Sequence, residues 1–191
     1  MSTGNYWVAN NPNSALTDTE ATRISNSQRE VIRQSDDDDT AITLTTSQSG
    51  ALVLLDEDEA YAITLPAITS SDIGVHYTFM ETVASSNDRT IDTAYDNDYY
   101  VGGVHVLPTA AWGSGTAQDG GVFGLAAGAT DVQITFDDNL ANGAGHVGSW
   151  VDLVAVLTGN TASGGGAKLV WSVTGNMGTA DPNGTGAAIF T

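Results

Sequence analysis

Cysteine is absent from this 191-residue chain and basic side chains are scarce: Lys and Arg total 5 against 23 Asp and Glu, a formal charge of −18 at pH 7. A chain without cysteine forms no disulfide, no thiolate metal site and no cysteine nucleophile. So acidic a surface repels phosphate backbones and anionic lipid headgroups, so neither direct nucleic-acid binding nor membrane attachment is expected. The same surplus of acid keeps a protein soluble, and it also suits a salty medium, where a Debye length of about 8 Å or less screens self-repulsion. Long apolar runs are lacking too; none approaches the roughly 20 residues of a membrane-crossing helix. Met1 is followed by Ser-Thr-Gly-Asn-Tyr-Trp, with no basic segment and no apolar core, so no secretory signal is expected and synthesis in a cytoplasm is.

Helical periodicity is equally scarce. From Thr40 onward the chain instead shows short β-branched and aromatic runs, at 42–45, 52–55, 62–65, 75–81, 90–94, 99–106, 122–125, 131–136, 150–157 and 167–173. Between them lie turn formers such as Ser49-Gly50, Asn87-Asp88 and Asp137-Asp138-Asn139. Val75, Tyr77 and Phe79 alternate with His76, Thr78 and Met80, the period of a half-buried strand. The segment 50–79 therefore reads as three strands of an antiparallel meander, and the whole as an all-β, antiparallel β-sandwich or barrel of jelly-roll type. Trp150 and Trp171 alternate with Val and Leu and are expected in its core.

Residues 1–39 differ. Arg23, Arg29 and Arg33 hold three of the five basic charges, and Ser27-x-x-Glu30 has the spacing of a capping box opening one turn of helix. Four adjacent aspartates, Asp36 to Asp39, do not pack into a core. Two readings stand side by side. In one, 1–39 is an N-terminal arm with an acidic hinge, preceding a β domain at 40–191, and docks on a partner through Tyr6, Trp7, Arg23, Arg29 and Arg33. In the other, Tyr6 to Ala9 form the first strand and 11–40 a surface loop. Trp112, in the glycine-rich stretch Ala110 to Gly115, is a further candidate for partner contact or for a lid on the core.

Signals for chemistry are few. No nucleophile elbow, phosphate-binding loop or dinucleotide fingerprint occurs, and no catalytic residue, metal ligand or cofactor is assigned. The acidic turns Asp56–Glu59, Asp96–Asp98 and Asp137–Asn139 read as solvated turns, with calcium the alternative. His76 and His105 each fall within a strand, where a lone histidine faces solvent or a neighbour.

The order Gly50, apolar strand, acidic turn, Ile63-Thr64-Leu65-Pro66, loop, Gly74 and Tyr77-x-Phe79 resembles the opening of small all-β virion proteins of tailed bacteriophages. These include capsid decoration (cement) proteins and related head or tail-fibre modules. A second piece, Gly148-Ser149-Trp150-Val151-Asp152-Leu153-Val154 followed by Trp171-Ser172-Val173-Thr174-Gly175-Asn176, is similar to the Gly-Ser turn and closing Trp-x-Val-x-Gly strand of the same proteins. The two pieces cover 50–105 and 148–176. The resemblance implies a structural protein without catalysis that sits on a capsid surface, as a homotrimer, binding across neighbouring copies of the major capsid protein. A tail-fibre, spike or baseplate module recognising a host-surface glycan is the alternative it allows. A free carbohydrate-binding or adhesion domain of a halophilic bacterium is a third.

Overall fold

A computed structural model describes residues 29–36, 41–95, 98–108, 122–125, 131–136, 146–158, 168–179 and 190. In these residues the chain is all β, in two sheets. The larger has seven strands in the order β1 (Val31–Arg33), β3 (Leu52–Leu55), β5 (His76–Glu81), β10 (Trp150–Leu157), β11 (Leu169–Thr179), β7 (Tyr100–Pro108) and β8 (Val122–Leu125). The smaller has four: β2 (Ala41–Thr43), β4 (Tyr61–Thr64), β6 (Arg89–Asp92) and β9 (Gln133–Phe136). The ten expected strands all form, nine of them within two residues of their expected ends, while β11 runs six residues further, to Thr179. The eleventh, β1, stands where a turn of helix was expected, and its pairing with β3 supplies what so short a segment lacks by itself.

The antiparallel meander does not form. β3 and β4 lie in different sheets, and the chain alternates between them for six strands, so β1, β3 and β5 pair in parallel in one sheet and β2, β4 and β6 in parallel in the other. Parallel neighbours need a crossover, and here the strand of the opposite sheet is the crossover. Val31 aligns with Leu52 and Ala41 with Ala62, a step of 21 residues in each sheet (52 − 31 and 62 − 41). A jelly roll is antiparallel throughout, and these ladders are not. Antiparallel pairing appears later, at β5–β10, β10–β11, β7–β8 and β6–β9.

Period-two alternation decides what the sheets bury. Ile42, Ile63, Ile91 and Ile134 align across the small sheet, and the last three are fully buried. Ile32, Val53, Phe79, Val151, Gly175 and Val104 align across the large one. The two rows belong to one core, to which Leu55, Tyr77, Leu153, Trp171 and Met177 also contribute.

Three polar side chains tie the sandwich together. The Tyr77 hydroxyl donates to Thr45 O at 2.7 Å, and the Tyr100 hydroxyl of the large sheet donates to Ile91 O of the small one at 3.0 Å. Burial pushes the Tyr100 phenol well above its ordinary range, so it stays a donor. The third is Arg89, the first residue of β6, which reaches Glu81 Oε1 at the end of β5 at 2.9 Å with both side chains 0–1% exposed. Its guanidinium also donates to Leu55 O and Val83 O, each at 3.3 Å.

The surface arches are held by carboxylates. Asp58 accepts from the Ser86 N–H at 2.5 Å, and Asp72 from the Thr69 N–H at 2.8 Å and its hydroxyl at 2.6 Å. Hydrogen bonding from Ser86 to Asp58, and from Thr69 to Asp72, holds both carboxyls below the ordinary carboxylate range. A depressed folded value gives stability that is complete above the unfolded pKa, about 3.9, and disappears as pH falls through the folded one. The gap in melting temperature between the protein and its Asp58→Asn/Asp72→Asn variant should therefore be open at pH 6 and close below about pH 4. A gap that persists unchanged down to pH 2 would refute this role.

Candidate binding face

The outer face of the large sheet is where functional groups collect. Its two central strands place every second residue outward: His76, Thr78 and Met80 on β5, and Trp150, Asp152, Val154 and Val156 on β10. The in-between residues Tyr77, Phe79, Val151 and Leu153 fill the core. Trp171 lies in the core as expected, but Trp150 does not; it is half-buried on the outer face, because it shares its side of the strand with Asp152. A carboxylate that would have to be desolvated without a buried cation decides which side of β10 goes inward.

Register fixes the neighbours on this face. Trp150 stands opposite Met80 on one side and Asn176 on the other, and Leu54 continues the row beyond Met80. Asp152 stands between Thr78 and Thr174 in the same way. Met80 is 36% exposed and Leu54 half-buried, so the row is an apolar strip open to solvent. Beside it runs a polar chain: Arg29 Nη2 donates to the Thr78 hydroxyl, and that hydroxyl donates to Asp152 Oδ1. The chain fixes the position of the Asp152 carboxylate from three strands away.

The expected docking residues fall into two groups. Tyr6, Trp7, Arg23 and Trp112 lie outside the described residues, as do 37–39 of the acidic hinge. Arg29 and Arg33 are built into the fold. Arg29 Nε donates to Gly50 O at 2.7 Å and its Nη2 to Ala51 O at 3.2 Å, which anchors the entry to β1 on the β3 turn. Arg33 donates to Asp56 Oδ2 at 2.7 Å, and Ser35 donates to the same carboxylate from its N–H at 2.9 Å and its hydroxyl at 2.8 Å. Burial pushes the Asp56 carboxyl up, but the donors from Ser35 and Arg33 outweigh it and hold the group below the ordinary range. Both arginines thus spend hydrogen bonds inside the chain, and the segment Arg29 to Asp36 is sheet and turn.

The acidic turns act in the same way. Asp56 and Asp58, read from the sequence as solvated, each bind donors from another segment of the chain. His76 is exposed, with Nδ1 3.0 Å from Gly74 O, and His105 is exposed on β7. Among the described residues no group of three or more His, Asp and Glu is arranged to hold a metal ion. Compared with known proteins, the chain matches no family model and no curated relative.

Proposed function

We propose that this chain is a structural protein of a tailed-phage virion that decorates the capsid shell and stabilises it by binding across neighbouring capsid subunits, without catalysis. One observation supports the reading most. The two stretches that carry the resemblance, 50–105 and 148–176, are far apart in sequence, yet β3, β5 and most of β7 from the first and β10 and β11 from the second are five consecutive strands of the large sheet, while β4 and β6 of the first lie in the small one. Residues that resemble one protein class in two pieces thus meet as neighbours in one sheet, as residues inherited together would. The rigid two-sheet body, stapled by Arg89, Tyr77 and Tyr100, suits a part whose work is to resist deformation.

In this reading residues 1–28 provide the shell contact, with Tyr6, Trp7 and Arg23 as the groups that bind, since aromatic rings and Arg dominate interface energetics. Arg29 and Arg33 position the start of the body. Three copies of a −18 chain bring −54 together (3 × −18), so a trimer on the shell is held by apolar contacts and strengthens with salt. The test is a truncation that stops before the sheet begins. A chain lacking residues 1–28 should fold, with an unchanged far-ultraviolet spectrum and cooperative melting, and should lose binding to empty heads. Truncation at 35 would remove β1 and confuse misfolding with lost docking. If the chain lacking 1–28 still saturates heads, the shell contact lies elsewhere; if the full chain never binds them, the decoration reading fails.

A further inference from the structure

We propose that the patch formed by Trp150, Asn176, Asp152 and Thr174 on the outer face of the large sheet is a binding site for a neutral glycan. These four residues form two directly opposed pairs on adjacent antiparallel strands, Trp150 with Asn176 and Asp152 with Thr174. Opposed side chains start about 5 Å apart and successive outward residues about 7 Å apart. The patch therefore has the footprint of a single sugar ring. An indole offers a flat apolar surface against which the C–H face of a pyranose stacks, and Met80 on its far side widens that surface.

The polar groups match the rest of such a ligand. A carboxamide has two donors and an acceptor, a hydroxyl does both, and a carboxylate accepts at two oxygens. That is the set needed to grip neighbouring hydroxyls. Among the described residues, the side chains of Asn176 and Thr174 make no hydrogen bond, and Asp152 uses only Oδ1. The Thr78 hydroxyl, itself held by Arg29, fixes the Asp152 carboxylate before any ligand arrives, so less conformational freedom is lost on binding. Charge selects among sugars. Asp152 within the patch and a net −18 around it disfavour uronic acids, sulfated glycans and other anions. The occupant is a neutral glycan, and the site is independent of any shell contact made through residues 1–28.

Affinity electrophoresis of the full 191-residue chain through gels containing dextran, mannan, galactan or arabinoxylan tests this, with alginate as the anionic comparison. Retardation is expected in at least one neutral gel and not in alginate. Trp150→Ala and Asp152→Asn should each weaken it at least about tenfold. Asn176→Ala, at a half-buried surface position, should weaken it too and provides a readout if Trp150→Ala fails to fold. Free migration in all four neutral gels, retardation unaltered by all three substitutions, or equal retardation in alginate would overturn the site. So would sedimentation showing that Trp150→Ala converts an oligomer to monomers, which would make the face a subunit contact. Head binding by the same variants is measured separately. Its loss with glycan binding intact would count against shell docking through 1–28 and leave the glycan site standing.

Discussion

Glu81→Ala should destabilise the protein by about 3–5 kcal/mol, because it leaves the Arg89 guanidinium buried without its counter-charge. For a chain of this size that is a fall in melting temperature of roughly 6–20 °C. The penalty is large because neither member of the pair can escape to water. Arg89 starts β6 in one sheet, Glu81 ends β5 in the other, and the pair closes the arch between them. The remaining hydrogen bonds of Arg89, to Leu55 O and Val83 O, are neutral carbonyl contacts that do not cancel a charge. Arg89→Met should be comparably harmful, since it removes the cation from the buried Glu81 carboxylate and a donor from Val83 O. The Glu81→Leu/Arg89→Met double variant should lose less than the two single losses added, as apolar replacement of both partners removes both desolvation costs. Urea unfolding of the four proteins gives the coupling directly. Single variants that cost no more than an ordinary surface change, about 0.5 kcal/mol, would show that the pair is solvated in solution.

That pair was legible in principle. Glu81 continues the parity of Tyr77 and Phe79, and Arg89 shares the parity of Ile91, so alternation alone carries both inward. Parity would also have moved Trp150 outward, since Asp152 shares its side of β10 while Val151, Leu153 and Ala155 take the other. Strand positions were readable because each depends on a run of a few residues and its flanking turns. Pairing was not. A five-residue link such as Asp56 to Ala60 serves equally a hairpin within one sheet or an arch between two, and the alternation on either side is identical in both cases. Only the partner of the next strand decides, and that is a long-range fact. The 21-residue step left only a short trace: Ala41-Ile42-Thr43 aligns residue for residue with Ala62-Ile63-Thr64 in the small sheet, whereas in the large sheet Ile32 aligns with Val53 at the same step without shared identity. The candidate glycan patch joins Trp150 and Asp152 to residues more than twenty positions away, so its existence depends on the β10–β11 register.

Alanine at Gly102 or Gly175 should cost more than about 4 kcal/mol at either site and yield little soluble protein, while Gly74→Ala should lower stability by only about 1–2 kcal/mol. The contrast separates conformational strain from lack of space. Gly74 has φ +93° and a Cβ built there meets nothing within 4 Å, so its substitution is charged with the left-handed backbone alone. Gly102 has φ +114°, and a Cβ there would also lie 2.3 Å from Val173 O, the residue it faces in the β7–β11 ladder. Gly175 has no positive φ, yet its Cβ would lie 2.3 Å from Trp150 O and 2.9 Å from Val151 Cα. These are backbone atoms in the middle of a sheet, and they can move only if the strands part and ladder hydrogen bonds are lost. Stability should therefore fall in the order Gly74→Ala least, Gly175→Ala more, and Gly102→Ala most, because the last combines both faults. Denaturant midpoints, or soluble yield where no midpoint can be measured, test that ranking; Gly175→Ala no worse than Gly74→Ala would mean that β10 and β11 are not so closely apposed. Any Gly175→Ala protein that survives in solution should also bind neutral polysaccharide poorly, since the displaced carbonyl belongs to the residue whose indole forms the floor of the proposed site.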